Sequence, residues 1–535
     1  MQPAKWLHHL CTVAGSRKVS FALMTVRPPR LVAILSILVV AFLDLSSEAQ
    51  TSKKKRATPR RKPAATRKAA PKAVPPMAIG TTFEERLASL VNGTVARSSE
   101  TSIQVVEVDS GRVVAERGPH QPLAPASNMK LFTTAAAIDM LKPSFEVTTG
   151  VHARGEVDAT GTLNGDIKIV GRGDPTIGGR FHDGSATEVI RDWATDLKRS
   201  GIKTISGDLV FEYGYMDTNY IHPTWPVDQL VNWYEAPVSA FSMQEGCVQV
   251  RVLPSRIGQG CVVQLEPPTN FLQVQNSCKT GRGLPFITRQ RGSNTIIVRG
   301  GVPARSGATE IFVTVENPVH YFATVTNETF AREGIRIMGQ IVLTPHDARP
   351  DWRLVTKHTT PLSVLVYVIN KKSQNHYAEQ VLKMIGAEKR HDGSWPGGTA
   401  EVKEWLTTKI GVPAEEFSPT DGSGMSRNNR ASANAFITLL RYMWKSPWRE
   451  DFVSSLPYSG DPDSKFGKHL RNAPFARQVY AKTGYISGVI GLSGYVHAQS
   501  GRIYAFSFLF NHYRVGVFSV YQLQDEMLKE IIKNG

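Results

Sequence analysis

Both ends of the globular part of this chain read as β-strand, and nothing else in the sequence constrains the fold as much. Residues 102–107 and 112–116 alternate around Asp109-Ser110-Gly111, the pattern of a hairpin. Far along the chain, 478–482, 489–497 and 502–510 also read as strands, the last two joined at Gln499-Ser500-Gly501. Helical periodicity fills 360–385, 399–410 and 430–445, and a final helix runs from Ser519, read as its N-cap, to Ile532. Strands at both ends with helices between predict one sheet assembled from both chain ends and flanked by helices, an α/β (α+β) class.

The middle breaks this pattern. Between 150 and 350 lie short β-type runs, among them TLNGDIKIVG, ISGDLVFEYGY, CVQVRVL, CVVQLEP, NTIIVRG and EIFVTVE, with helical patterns only at 187–200 and 318–333. A span of roughly 200 residues is one or two domain sizes. The two-ended sheet therefore carries a large, mostly β insertion.

The net charge of +17 points to a nucleic-acid partner until it is located. Residues 1–76 carry +13 of it, with ten Lys or Arg and no acid in 51–76, and only +4 remains for the rest. Upstream, the apolar run 31–43, LVAILSILVVAFL, follows Arg27 and Arg30, and Ser47-Glu48-Ala49 offers a small-residue cleavage site. The run is short for a membrane span, which needs about 20 residues. A signal peptide over 1–49 is the expectation, with Met24 as the start that gives an ordinary leader; an uncleaved anchor is the alternative. Export to the periplasm or cell envelope leaves little occasion to meet DNA. The segment 50–80 then reads as a disordered basic linker with no nucleic-acid partner, and with anionic wall or membrane surface as a secondary attraction.

Cys11 falls in or before the leader. Cys247, Cys261 and Cys278 lie on three expected strands and leave three pairings open. Cys261 with Cys278 is favoured if Pro267-Pro268-Thr269-Asn270 forms the turn between them. Neither CxxC nor HExxH occurs, so no metal is expected.

Three short motifs carry chemistry. Ser127-Asn128-Met129-Lys130 opens a helical pattern. A serine nucleophile without a histidine needs another proton acceptor, and lysine serves when burial or nearby positive charge lowers its pKa. Three positions apart on a helix, the two side chains share a face, and the helix N-terminus favours negative charge at the serine. Alone the motif is weak: Ser52-Lys53-Lys54-Lys55 fits it in the basic tail, and Ser127 also suits a plain N-cap. Ser373-Gln374-Asn375 falls in a loop between helical runs, where polar side chains can face a cleft; Ser426-Arg427-Asn428 and Ser432-Ala433-Asn434 share its spacing. Lys482-Thr483-Gly484 ends a strand, where glycine lets a substrate backbone approach. Lys279-Thr280-Gly281 is a look-alike within the insertion. In chain order the three motifs form the signature of penicillin-binding proteins and class A β-lactamases, with Gln374 where aspartate is usual.

With these residues in place, the chain resembles the D-alanyl-D-alanine carboxypeptidase/endopeptidases among the low-molecular-mass class C penicillin-binding proteins, over residues 85–530. Further segments match that family: Gly171-Arg172-Gly173-Asp174-Pro175-Thr176, Gly207-Asp208-Leu209-Val210, Tyr215-Met216-Asp217, Tyr234-Glu235-Ala236-Pro237, Asp421 through Arg427, and Leu492-Ser493-Gly494-Tyr495. Two departures are local. Tyr485 replaces the usual threonine after Lys-Thr-Gly, and Ser464 through Arg471 replaces a Gly-Thr-Leu before arginine. The resemblance implies a penicillin-binding/β-lactamase-like catalytic domain in two pieces, 81–150 and 351–535, with an antiparallel sheet. It implies two nested domains, one over 151–240 and 316–350 and a β-rich one over 241–315.

The implied activity is that of an exported serine-type D-Ala-D-Ala carboxypeptidase and endopeptidase acting on peptidoglycan stem peptides, with β-lactams as inhibitors and no cofactor. Ser127 is the expected nucleophile and Lys130 its base. Ser373 relays a proton toward the leaving amine, held by Asn375 and influenced by Lys482, and Thr483 with Lys482 binds the terminal carboxylate. The N–H groups of Ser127 and Tyr485, beside Gly484, form the oxyanion hole. Arg427 and Asp217, with Ser423, are expected to read the charged end of a diaminopimelyl side chain. Two rivals remain: a serine β-lactamase, which must deacylate quickly, and a catalytically quiet wall-binding scaffold, which has no need of the whole set.

Overall fold

A computed structural model describes residues 76–535. The leader, Cys11 and nearly all of the basic linker lie outside the described residues. Five strands form one antiparallel sheet in the order Val479–Ile486, Val489–His497, Ile503–Asn511, Glu100–Glu107, Val113–Arg117. The two chain ends join where Glu100–Glu107 pairs with Ile503–Asn511, from Glu100 opposite Asn511 to Glu107 opposite Tyr504. This is the expected sheet of both ends.

Alternation along the strands divides its faces. Phe506, Phe508 and Phe510 share a core with Leu523, Met527 and Ile531 of the terminal helix Val517–Asn534 and with Leu87 of Phe83–Val91. Ala505 and Leu509, on the opposite face, share another with Phe132 of Met129–Leu141, Leu365 of Leu362–Lys371 and Leu440 of Ala433–Lys445. That second face holds the helices bearing the serine motifs.

Two helix starts differ from expectation. The terminal helix begins at Val517 after extended Gly516, and Ser519 sits inside its first turn, donating its N–H to the Gly516 carbonyl at 2.9 Å. The helix expected from 399 begins at Trp395 instead, because the Ser394 hydroxyl accepts the Gly397 N–H at 3.1 Å and Pro396 suits a first turn. The pattern at 360–385 is two helices, Leu362–Lys371 and Asn375–Arg390, broken at Ser373, whose φ is 56°.

The insertion is mostly β. Its seven-stranded sheet includes Glu146–Val157 paired antiparallel with Arg353–Pro361. The chain enters and leaves along these neighbours, the first running across position 150 and the second beginning just after 350. Within 241–315, Cys247–Leu253 lies between Val262–Glu266 and Thr309–Thr314, and a second sheet forms around Thr295–Val302. Pro267 through Asn270 is not a hairpin turn: Val262–Glu266 pairs with Cys247–Leu253, whereas Gln273–Asn276 pairs with Thr295–Val302. Cys261 and Cys278 sit just outside strands, yet the Cys261 N–H donates to the Cys278 carbonyl at 2.9 Å and their thiol sulfurs are 2.9 Å apart. The favoured pair is thus one whose thiols meet.

Candidate active site

Ser127 lies in a single 3-10 turn, Ala126–Asn128, that feeds the helix Met129–Leu141. No side chain caps that helix, so Ser127 is not an N-cap. Ala126 just before it has φ of 47°, a left-handed conformation that costs a non-glycine residue about 1 kcal/mol or more and must be held from outside. Two glycines hold it. At Gly424, with φ of +83°, a Cβ would fall 1.8 Å from the Ala126 carbonyl oxygen. At Gly484, on the edge strand Val479–Ile486, a Cβ would fall 2.8 Å from the Pro125 oxygen and 2.7 Å from Asn128 Nδ2. The nucleophile turn is wedged between a loop and a strand, both glycine where they touch it.

Lys130 is fully buried. Its Nζ lies 2.7 Å from Asn375 Oδ1, 2.7 Å from the Ser423 carbonyl oxygen and 3.1 Å from Ser127 Oγ. Burial brings its pKa down to about 7, against the opposing pull of Glu379 and then Asp421. A neutral amine has two N–H donors and one lone pair. Asn375 Oδ1 and the Ser423 carbonyl can only accept, so they take the two hydrogens, and the lone pair is left for the Ser127 hydroxyl.

Across the cleft, buried Lys482 donates to Ser373 Oγ at 2.8 Å and to its neighbour's carbonyl, that of Thr483, at 2.9 Å. Burial, then Lys130, then Lys465 hold its pKa well below the ordinary lysine range. Asn375 is fixed at both ends of its amide, since its Nδ2 donates to the Tyr234 carbonyl at 2.8 Å. Gln374 caps the helix Asn375–Arg390 and donates to Glu245. Tyr234 and Glu245 come from the insertion, which therefore helps hold the site. Thr483 is half-buried and Tyr485 is 56% exposed on the same edge strand.

The remaining expected residues fare differently. Ser423 is fully buried, its hydroxyl accepting the Met425 N–H at 3.3 Å and its carbonyl accepting from Lys130 Nζ at 2.7 Å. Asp217 does not meet Arg427. Its carboxylate accepts from Lys383 Nζ at 2.6 Å and from Asn219 at 2.8 Å, because Lys383 is fully buried and needs a counter-charge. Arg427 is exposed and has no ion pair among the described residues. Sequence reasoning missed Glu379, a buried carboxylate one helical turn after Asn375, for which that four-residue spacing was the available signal. A cavity of about 490 Å³ borders Gln374 and is lined by Trp233, Phe312, Arg180 and Glu245 among others. Among the described residues no group of three or more His, Cys, Asp or Glu is placed to hold a metal.

A family model described as the D-Ala-D-Ala carboxypeptidase 3 (S13) family matches residues 84–529. The D-alanyl-D-alanine carboxypeptidase of Actinomadura sp. strain R39 is 31% identical over 450 residues, covering 81% of each chain. DacB of Haemophilus influenzae, also a D-alanyl-D-alanine carboxypeptidase, is 25% identical over 418 residues, 76% of this chain and 85% of that one. The crystal structure of penicillin binding protein 4 (dacB) from Haemophilus influenzae superposes with a TM-score of 0.72 at 21% identity, covering 84% of this chain and 99% of that one. A β-lactam complex of that protein gives a TM-score of 0.66 at 22% identity, with the same coverage.

Proposed function

The chain belongs to the D-Ala-D-Ala carboxypeptidase 3 (S13) family, and on that premise we propose which residues carry its reaction. It is a serine-type D-Ala-D-Ala carboxypeptidase with the penicillin-binding fold, acting on peptidoglycan. Lys130 takes the hydroxyl proton of Ser127 as Oγ attacks the carbonyl carbon between the two D-alanines. The N–H groups of Ser127 and Tyr485 receive the oxyanion. Ser373, bonded to Lys482, passes a proton to the departing amine and is resupplied with the one that Lys130 took, the C–N bond breaks, and the acyl group stays on Ser127 as an ester. Lys482 and Thr483 bind the terminal carboxylate, and Gly484 lets the substrate backbone lie close. Lys130, neutral again, then takes a proton from water as the water oxygen attacks the ester carbon, and returns that proton to Ser127 Oγ as the ester C–O bond breaks and the acid leaves.

The observation that carries this reading is the trio of partners around Lys130, two of which can only accept. Purified muropeptides incubated with the enzyme test it: mass spectrometry should find loss of one D-alanine from pentapeptide stems. Unchanged stems would sink it. β-Lactams are expected to acylate Ser127 in place of the stem, as the β-lactam complex of a relative supports. Rapid turnover of a chromogenic cephalosporin would favour a β-lactamase instead.

Endopeptidase activity by the same steps belongs to the proposal. We further infer export to the periplasm or envelope, from the 31–43 run and Ser47-Glu48-Ala49. No helix among the described residues is long and apolar enough to cross a membrane. N-terminal sequencing should find Gln50 first; retention of 31–43 would indicate an anchor.

A further inference from the structure

One of the three partners of Lys130 is a main-chain carbonyl, and whatever fixes that carbonyl fixes where the base can point. The carbonyl belongs to Ser423, in the loop 421–426. Glu379 grips this loop from the helix Asn375–Arg390. It is fully buried. One carboxylate oxygen accepts the Ser423 N–H at 2.8 Å; the other accepts the Gly422 N–H at 2.9 Å and Trp395 Nε1–H at 2.8 Å. From the opposite side, the Thr133 hydroxyl on the nucleophile helix donates to the Gly422 carbonyl at 2.8 Å. A carboxylate is costly to bury, and three N–H donors converging on two oxygens are what keep it there.

We propose that Glu379 is a positioning residue for the general base. By holding two consecutive N–H groups, it sets the Ser423 carbonyl to take one hydrogen of neutral Lys130, and so turns the lone pair toward Ser127. One helix thereby supplies both obligate acceptors of the amine, Asn375 directly and Ser423 through Glu379. This rests on reading Lys130 as the base.

The charged and titratable groups facing the cluster are Asp421 on the loop, Lys383 with its partner Asp217, Asp392, His222 beside Asp421, and Lys482 across the cleft. The charge of Glu379 raises the proton affinity of Lys130, while burial, then the charge of Asp421, push the pKa of Glu379 itself up to about 7.

Two variants test the role. Glu379→Gln keeps the volume but turns an NH₂ toward an N–H donor; Glu379→Asp keeps the charge but is one methylene short. Acylation by a fluorescent penicillin, and kcat and KM on a D-Ala-D-Ala peptide, are measured per penicillin-titrated site, so misfolded molecules drop out. Expected is a loss of kcat and acylation rate of about tenfold or more with KM little changed, since a misplacement of about 1 Å costs up to roughly a hundredfold. Normal rates per site in both variants, with only thermal stability lost, overturn the proposal. If neither variant gives titratable protein, Thr133→Val, which frees the same loop, must slow acylation per site, and a normal rate there overturns it. Lys130→Ala separates the two readings. Normal acylation by that variant sinks the base assignment, whereas an inert Lys130→Ala beside normal Glu379 variants sinks only the positioning role.

Discussion

Lys482 donates to the hydroxyl of Ser373 at 2.8 Å across 109 positions of chain. The strand edge and the interhelix loop that carry them are separate pieces of the fold. The group proposed to protonate the leaving amine is therefore held by a different pair of residues from the one that activates Ser127, and the two pairs can be broken one at a time.

Penicillin should label Ser127 and no other residue. Peptide mapping of the adduct reads this directly, and Ser127→Ala should take up no label. A modified residue elsewhere, or label persisting in that variant, contradicts the assignment.

Lys130→Ala should cut acylation by at least roughly a hundredfold, the usual cost of losing acid–base catalysis. In the native enzyme the acylation rate should rise with pH through about 7, as the buried amine loses its proton. Stopped-flow acylation from acid to alkaline buffer checks both. A flat profile would remove Lys130 from the role.

Arg427→Ala should lower kcat/KM by about 1 kcal/mol for stems with a free diaminopimelyl carboxylate, because the guanidinium is exposed and its pairs are worth little more. Penicillin acylation should be unaffected. Asp217→Ala should behave differently, costing about 3 kcal/mol of stability by stranding Lys383, with all substrates affected alike. Side-chain selectivity in Asp217→Ala would restore it as a substrate reader.

Glu235 is buried with neither carboxylate oxygen hydrogen-bonded, and burial, then Asp228, pushes its pKa up to about 8. A carboxyl whose folded pKa lies above its unfolded value gives stability that is full below about 4.5 and is lost as pH rises through about 8. Thermal unfolding of Glu235→Gln should lack that decline. Parallel pH profiles for native and variant protein would refute it.

Local patterns carried most of what the sequence revealed. The strands at 489–497 and 502–510 alternate visibly, and the three motifs are each a few residues long. What stayed hidden depends on the completed fold. Arg353–Pro361 is an edge strand whose residues are mostly half-buried or exposed, so its RLVTKHTTP lacks an apolar beat. Asp217 read as a substrate acid because nothing in the sequence announces that Lys383, 166 positions away, is buried against it. Ser423 lay in the right loop, but the group that matters is its carbonyl, which every residue possesses.

The pairing of Glu100–Glu107 with Ile503–Asn511 has a kinetic consequence. A chain made from its N-terminus exposes Ser127 long before the strand bearing Lys482 emerges, and contacts this distant in sequence close slowly. Until the last hairpin docks, the nucleophile turn lacks the glycine-bearing strand that wedges it. The unfinished enzyme is thus inert toward the wall it will later cut, and a chain ending before Val479 should neither take up penicillin nor trim a stem.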